Sequence, residues 1–335
     1  MKQVERCVNA LFEEQRLRHM AMRVGTSDGV LLDYYRSADE TVNAATRFDM
    51  ASVSKILSVT QLTLIAWERG LLDIEDPVSR YFPHDGELKL RHLLTHTLGM
   101  GGQNLRQSGV TNDTVASYIL SLTPDFPLDG EVRYSCPGFI LMGKIVEQVF
   151  GAPLDELFAT YVTEPLGMTR TAYRPTDTVN MVNANLPEAE KGLVNDNNCR
   201  FLGGVAGNAG VFSCVEDLTR FCGMLLRNGE PLYRKDTFLQ AIKNYTPGKA
   251  EARGLGFVYV DERFPQTGEL FSVGSVGHCG HTGQFVFVDP NADRYAIILT
   301  DATRCHDITF DDDRYDLVMQ MRADLCNAAK HDLAL

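Results

Sequence analysis

No stretch of this sequence approaches the roughly 18–20 consecutive apolar residues that a membrane-crossing helix needs. The longest apolar patches, such as Tyr295–Leu299, have strand length. Positive charge is also scarce: 32 lysines and arginines stand against 44 aspartates and glutamates, a formal net charge of −12. Acidic residues cluster at Asp73–Asp76 and at Asp311–Asp313. This balance argues against a nucleic-acid partner, because phosphate binding needs a positive face, and it fits a solvated acidic surface. Eight cysteines are present, yet none form a C-x-x-C pair, so free and mostly buried thiols are expected rather than a disulfide framework. The N-terminus has neither the continuous apolar segment nor the small-residue cleavage site of a secretory signal. A cytoplasmic location is the expectation. There is no internal repeat and no low-complexity segment.

What is present is the composition of an ordinary globular protein, 44% hydrophobic and 23% charged. At roughly 150 residues per domain the length suggests two lobes. Val4, Val8, Leu11 and Phe12 recur at helical spacing and predict an amphipathic helix over about 3–17. Strands are expected near Ala21–Thr26 and Val30–Tyr35, joined by a turn at Ser27-Asp28-Gly29. A helix is expected to begin at Ser52 and to stop at Gly70. Proline-punctuated helices follow near 90–97, 113–122, 137–150 and 153–163. Ser213-Cys214-Val215-Glu216 reads as a capping box that opens a helix through about 227. Further strands are expected near Gly256–Val260, Phe271–Val276, Gln284–Val288 and Tyr295–Leu299, then a C-terminal helix over about 312–329. Consecutive strands with short links pair antiparallel, because parallel pairing needs long crossovers. The expected class is therefore α+β: an α/β sheet lobe from 1–70 and 201–335, flanked by the terminal helices, with a mainly helical lobe from 71–200 inserted.

Three short elements carry chemistry. In Ser52-Val53-Ser54-Lys55 the first and last residues share a helix face, so the hydroxyl and the amine can meet. A serine hydroxyl is a poor nucleophile unless a base takes its proton, and a lysine can be that base if burial or nearby cations lower its pKa. Tyr134-Ser135-Cys136 precedes the helix that starts near Pro137; a phenol beside Lys55 can shuttle the proton. His281-Thr282-Gly283 precedes the strand Gln284–Val288. Its glycine would let substrate approach the strand edge, and the backbone N–H groups of Ser52 and Gln284 would then form an oxyanion hole.

Taken together and in this order, these elements resemble the β-lactamase-related serine hydrolases. That family includes class C β-lactamases, low-molecular-weight penicillin-binding proteins, D-amino-acid peptidases and class VIII esterases. The resemblance covers roughly residues 20–310. It rests on Asp49–Lys55, Gly70-Leu71-Leu72-Asp73 with Asp76-Pro77-Val78, Arg91-His92-Leu93-Leu94-Thr95-His96-Thr97, Glu164-Pro165-Leu166-Gly167-Met168, Gly203–Ser213 and Val288-Asp289-Pro290. It implies a β-lactamase/transpeptidase-like fold, Ser52 as nucleophile, Lys55 and Tyr134 as the acid/base pair, and His281 as the third-motif residue, with Thr282, Gly283 and Cys136 facing substrate.

The sequence also departs from the family pattern. Cys136 stands where an asparagine usually helps bind a substrate amide, and a thiol is a weak hydrogen-bonding group. His281 stands where carboxylate-binding members mostly have lysine, and a histidine is largely neutral at pH 7. Asn195 and Asn208 replace two histidines of the family, in segments suspected to be neighbours in the fold. These departures favour a small ester, amide or peptide substrate over a β-lactam. The alternatives are a true β-lactamase or D-Ala-D-Ala carboxypeptidase and, in another class, a catalytically silent ligand-binding or scaffold protein. No cofactor or metal is implied, and no membrane partner; the oligomeric state stays open. His92 and His96 lack the glutamate of a zincin H-E-x-x-H. His278, Cys279, His281, Cys305 and His306 do not have the spacing of a zinc module.

Overall fold

The late strands carry unbroken apolar runs, Phe285–Val288 and Tyr295–Leu299, which a sheet tolerates only when both of its faces are covered. A computed structural model shows how. It describes residues 2–14, 16–39, 41–107, 109–183, 191–302 and 312–335, with 312–315 as backbone only. The strands in chain order are β1 (His19–Thr26), β2 (Gly29–Ser37), β3 (Phe48–Asp49), β4 (Ala172–Tyr173), β5 (Val211–Ser213), β6 (Val258–Tyr259), β7 (Val276–Cys279), β8 (Phe285–Asp289) and β9 (Arg294–Thr300). Six of them form one sheet in the order β2-β1-β9-β8-β7-β6, antiparallel throughout.

Successive side chains of a strand point to opposite faces. Phe285 and Phe287 of β8, with Ala296 and Ile298 of β9, pack against Val4, Val8, Leu325 and Ala329 of the terminal helices Gln3–Glu13 and Asp312–Leu333. Val286, Val288, Ile297 and Leu299 face the other way. They join a larger core with Ile56, Leu62, Leu90, Phe139 and Ile145 from the helices between the early and late strands. The expected α+β class with an antiparallel sheet and flanking helices is what the chain adopts. No helix among the described residues is long and apolar enough to cross a membrane.

Several local expectations need correction. The helix expected from Ser52 to Gly70 is three pieces: a 3-10 turn Ala51–Val53, a single helical turn Ser54–Leu57, and Val59–Glu68 after a break at Ser58 (φ −109°, ψ −85°). The capping box at Ser213 is absent. Ser213 ends β5 and its hydroxyl bonds to Thr171 at 2.7 Å, while Cys214 takes the cap position of the helix Val215–Leu226 with no side-chain bond. The strand expected at Phe271–Val276 starts only at Val276. Ser272 is held by Asp289 (N to Oδ2 2.9 Å), and Gly274 turns at φ +95°. A second sheet of order β3-β5-β4 was not expected, because two- and three-residue strands leave no periodic signal.

Gly277 in β7 shows how tightly the large sheet is built: a Cβ there would lie 2.2 Å from the Val286 carbonyl oxygen and 2.4 Å from Phe287 Cγ. Overpacking of this kind costs about 1–3 kcal/mol. Gly277→Ala is therefore expected to lower the urea unfolding midpoint by an equivalent amount; an unchanged midpoint would show that the strand relaxes freely.

Candidate active site

The nucleophile turn begins where β3 ends. The buried Asp49 carboxylate accepts N–H bonds from Ala51 at 2.8 Å and Asn195 at 2.6 Å. Burial pushes its pKa up to about 6, against those two bonds. Ala51 is held at φ +45°, a left-handed conformation that costs a residue with a Cβ about 1–2 kcal/mol. Strain of this kind persists only where the surroundings over-determine it. Here the surroundings are the Asp49 bond and the Val53 N–H to Met50 carbonyl bond at 3.0 Å. The turn leaves Ser52 half-buried at the surface of a cleft.

Lys55 is 0% exposed. A buried ammonium is costly unless each of its three N–H groups finds an acceptor. Nζ donates to Ser52 Oγ at 3.0 Å, to the Tyr134 hydroxyl at 2.7 Å and to the Asn208 carbonyl at 3.0 Å. Cys136 Sγ lies 3.7 Å away. The hydroxyl, amine and phenol singled out in the sequence thus converge in one cleft, with Cys136 beside them. Burial alone pushes the Lys55 pKa down, but the neighbouring Cys136 and Tyr134 groups outweigh it and hold the amine above its ordinary value. This reverses the expectation of a lysine lowered toward neutrality. Tyr134 is 36% exposed as a whole, yet desolvation around its hydroxyl also raises its pKa, against the pull of Lys55. The resting pair is an ammonium and a phenol.

The Tyr134 segment is set by one of the two histidines of the Arg91–Thr97 segment. His96, at φ +58°, accepts the Ser135 N–H on Nδ1 at 2.9 Å, and its ring lies 4.6 Å from the Tyr134 ring. Ser135 then caps the helix Cys136–Phe150, accepting from Gly138 N–H. His92 plays a similar local part, accepting the Lys89 N–H at 3.0 Å. The two asparagine segments also reach the nucleophile region: Asn195 through its amide to Asp49, and Asn208 through its carbonyl to Lys55.

The third element is displaced by one tripeptide. His278-Cys279-Gly280 runs along the end of β7, past the last β6 partner at Gly277, and lines the cleft. A Cβ on Gly280 would lie 2.9 Å from the Met50 carbonyl oxygen and 3.3 Å from Ala51 Cβ. This is the glycine that permits close approach to the nucleophile turn. His278 is buried, and its Nδ1 donates to the Cys279 carbonyl at 2.7 Å. Burial, with Lys55 and Arg253 nearby, holds its pKa well below the usual histidine range.

Of the expected set, His281 lines the cleft from an exposed position. Thr282, Gly283 and Gln284 are buried behind it. Gln284 Nε2 donates to the carbonyls of Asp49 at 2.7 Å and Thr300 at 3.0 Å. Thr282 Oγ1 donates to Gln284 Oε1 at 2.5 Å. The close approach of Gly283 is to Thr300 on β9, not to the cleft. These residues brace the nucleophile turn from behind, and Gln284 is not at the oxyanion position expected of it. Two consecutive His-x-Gly tripeptides stand in the sequence, and only the hairpin geometry distinguishes them.

The cleft has a volume of about 1030 Å³. Among the described residues no three His, Cys, Asp or Glu side chains gather in a metal-binding cluster, and the described cysteines are unpaired. Cys305 and His306 lie outside the described residues.

A family model described as Beta-lactamase matches residues 4–319. The D-alanyl-D-alanine-carboxypeptidase/endopeptidase AmpH of Escherichia coli K12 is 27% identical over 255 residues, 68% of this chain and 64% of AmpH. The chain thus spans less than two thirds of that relative. Among solved structures, EstCE1, a hydrolase with promiscuous acyltransferase activity, aligns at a TM-score of 0.75 with 21% identity, covering 97% of each chain. A β-lactamase from Mycobacterium bovis aligns at 0.69 with 23% identity, covering 98% of this chain and 99% of its own. These structural likenesses bear on the fold, which is that of the β-lactamase and penicillin-binding protein group.

Because Lys55 and Tyr134 both stand above their ordinary values, the deprotonated pair grows as pH rises. On a reactive ester kcat/KM is expected to climb about tenfold per unit between pH 7 and 9, since a base below its pKa gains tenfold in population per unit. His96 and His278, both held well below their usual range, should add no step near neutrality. A plateau already reached by pH 7.5 would mean that burial dominates and the amine rests as free base.

Proposed function

This chain belongs to the β-lactamase family of serine hydrolases, and on that premise we propose that it hydrolyses a small ester or amide through an acyl-enzyme on Ser52. The observation that carries this reading is the buried Lys55 amine bonded at once to the Ser52 and Tyr134 hydroxyls. The reactive form is the pair that has lost one proton: Ser52 Oγ attacks the carbonyl carbon as its proton passes to the Lys55–Tyr134 pair and refills that place. The pair then protonates the leaving group as the carbonyl–heteroatom bond breaks. Water reverses the sequence: it loses its proton to the pair, attacks the acyl carbon and releases the acid, and Ser52 Oγ regains a proton. The developing oxyanion is held by the amides of Ser52 and His281. His281 follows Gly280 as Gln284 follows Gly283, and it lines the cleft that Gln284 does not. His278, neutral and buried beside Tyr134, takes the third-motif position first given to His281.

Cys136 bears on the substrate. Its thiol occupies the cleft beside Lys55, where it offers little to an amide side chain of the kind carried by β-lactams. That favours short esters or simple amides. The name of AmpH supports a second reading, a D-Ala-D-Ala carboxypeptidase, at 27% identity.

A fluorophosphonate probe is expected to add to Ser52, located by peptide mass spectrometry, and Ser52→Ala should lose both the adduct and 4-nitrophenyl butyrate hydrolysis. Wild-type kcat/KM on that ester should exceed nitrocefin turnover by at least about tenfold, one lost hydrogen-bonding partner being worth roughly that factor. Nitrocefin turnover equal to the ester, rising further in Cys136→Asn, would move the assignment to the second reading. An unmodified Ser52 that turns over neither substrate would overturn both.

A further inference from the structure

One charged side chain of the cleft has no part in acyl transfer. Arg253 is only 6% exposed, yet it lines the cavity. Its guanidinium carbon sits 5.8 Å from the centre of the Tyr134 ring. One terminal nitrogen bonds to the carboxylate of Glu251, a half-exposed side chain at the rim. Its Nε is buried without a hydrogen-bond partner. A buried guanidinium N–H left open is disfavoured, and here it is held one ring away from the reacting groups.

The position is built into the fold. Arg253 N donates to Thr246 Oγ1 at 2.9 Å, and its carbonyl accepts from Tyr245 N–H at 2.8 Å. The residues that follow are pinned to two helices. Gly256 N donates to the Leu94 carbonyl at 3.0 Å, and with φ at +82° a Cβ on Gly256 would lie 2.0 Å from Thr60 Oγ1. These bonds fix the backbone from which the side chain enters the cleft. The surrounding charge agrees: in a chain of net charge −12, five arginines line this cleft against three acids.

We propose that Arg253 forms a carboxylate subsite, so that the preferred substrate is an ester or amide carrying a free carboxylate in the part seated beside Tyr134. This rests on the acyl-transfer reading of Ser52. The charge comes from the loop before β6 and not from β7, whose edge offers only the neutral His278 at this place. A planar guanidinium with an open N–H matches a carboxylate in shape as well as in sign.

Two substrate pairs test the proposal, one for each side of the scissile bond. They are the 4-nitrophenyl half-ester of glutaric acid against 4-nitrophenyl valerate, and 3-carboxyphenyl butyrate against phenyl butyrate. In at least one pair the wild type should favour the charged member by about tenfold or more in kcat/KM, chiefly through KM, as expected of a charge-assisted bond. Arg253→Met should abolish that preference, and Arg253→Lys should keep part of it. A second readout is free of turnover: glutarate binding to Ser52→Ala protein by calorimetry, expected to weaken at least tenfold when Arg253→Met is added. Circular dichroism melts check each variant; if Arg253→Met does not fold, Arg253→Gln and Arg253→Lys carry the comparison. No preference in either pair, or a preference that survives loss of the guanidinium, overturns the subsite. If no ester acylates Ser52 while glutarate binding still depends on Arg253, the acyl-transfer reading fails and the subsite stands.

Discussion

A buried ammonium with three acceptors is the constraint on which the site depends. Lys55 has no contact with solvent, and a charge in such a place is tolerable only when every N–H is satisfied. The three acceptors come from three distant parts of the chain: Ser52 on the adjoining turn, Tyr134 ahead of the long inserted helix, and Asn208 from the glycine-rich loop before β5. To bring them within 3.0 Å of one nitrogen, the inserted helices must be packed rigidly on the sheet. The continuous core that runs from Ile297 and Leu299 to Phe139 and Ile145 does that. The same bonds that make the buried charge bearable align the nucleophile with its proton shuttle, so stability and chemistry meet in one group.

The nucleophile turn is held against strain from both sides. In front, the Asp49 carboxylate fixes Ala51 in a left-handed conformation. From behind, the Gln284 amide and the Thr282 hydroxyl reach the Asp49 carbonyl. Arg322 of the C-terminal helix in turn binds the carbonyls of Gly280 and Gly283 and the side chain of Gln266. The β7–β8 hairpin is thereby clamped to the helix that covers the far face of the sheet. Residues that look like a substrate-facing motif turn out to be scaffolding, and the tripeptide before them faces the cleft.

Electrostatics in the cleft follow from burial more than from composition. Both histidines packed about Tyr134 are kept neutral by desolvation and by the nearby Lys55 and Arg253. They serve by shape and by single directed bonds: His96 by accepting the Ser135 N–H, His278 by donating to its neighbour's carbonyl. Immediately around Tyr134 the positive charge is left to Lys55 and Arg253, within a chain whose overall charge is strongly negative.

What the sequence determined by itself was whatever local spacing can encode. Alternation and apolar runs gave away the strands of the large sheet, because the period of side-chain facing is a property of the backbone. Three residues of separation were enough to pair Ser52 with Lys55, because one helical turn brings such positions together. The association of Tyr134 with that pair came from a family pattern and not from its own neighbourhood. Tertiary structure decided what depends on contacts between distant segments. It chose His278-Cys279-Gly280 over His281-Thr282-Gly283, since the two tripeptides have nearly the same local signature and only the Cβ-free approach of Gly280 to Met50 and Ala51 separates them. It set the proton inventory of Lys55, since a pKa follows from burial and neighbours that no linear spacing reports. It also placed Arg253 beside Tyr134, a contact across more than a hundred residues that only the packed core brings about.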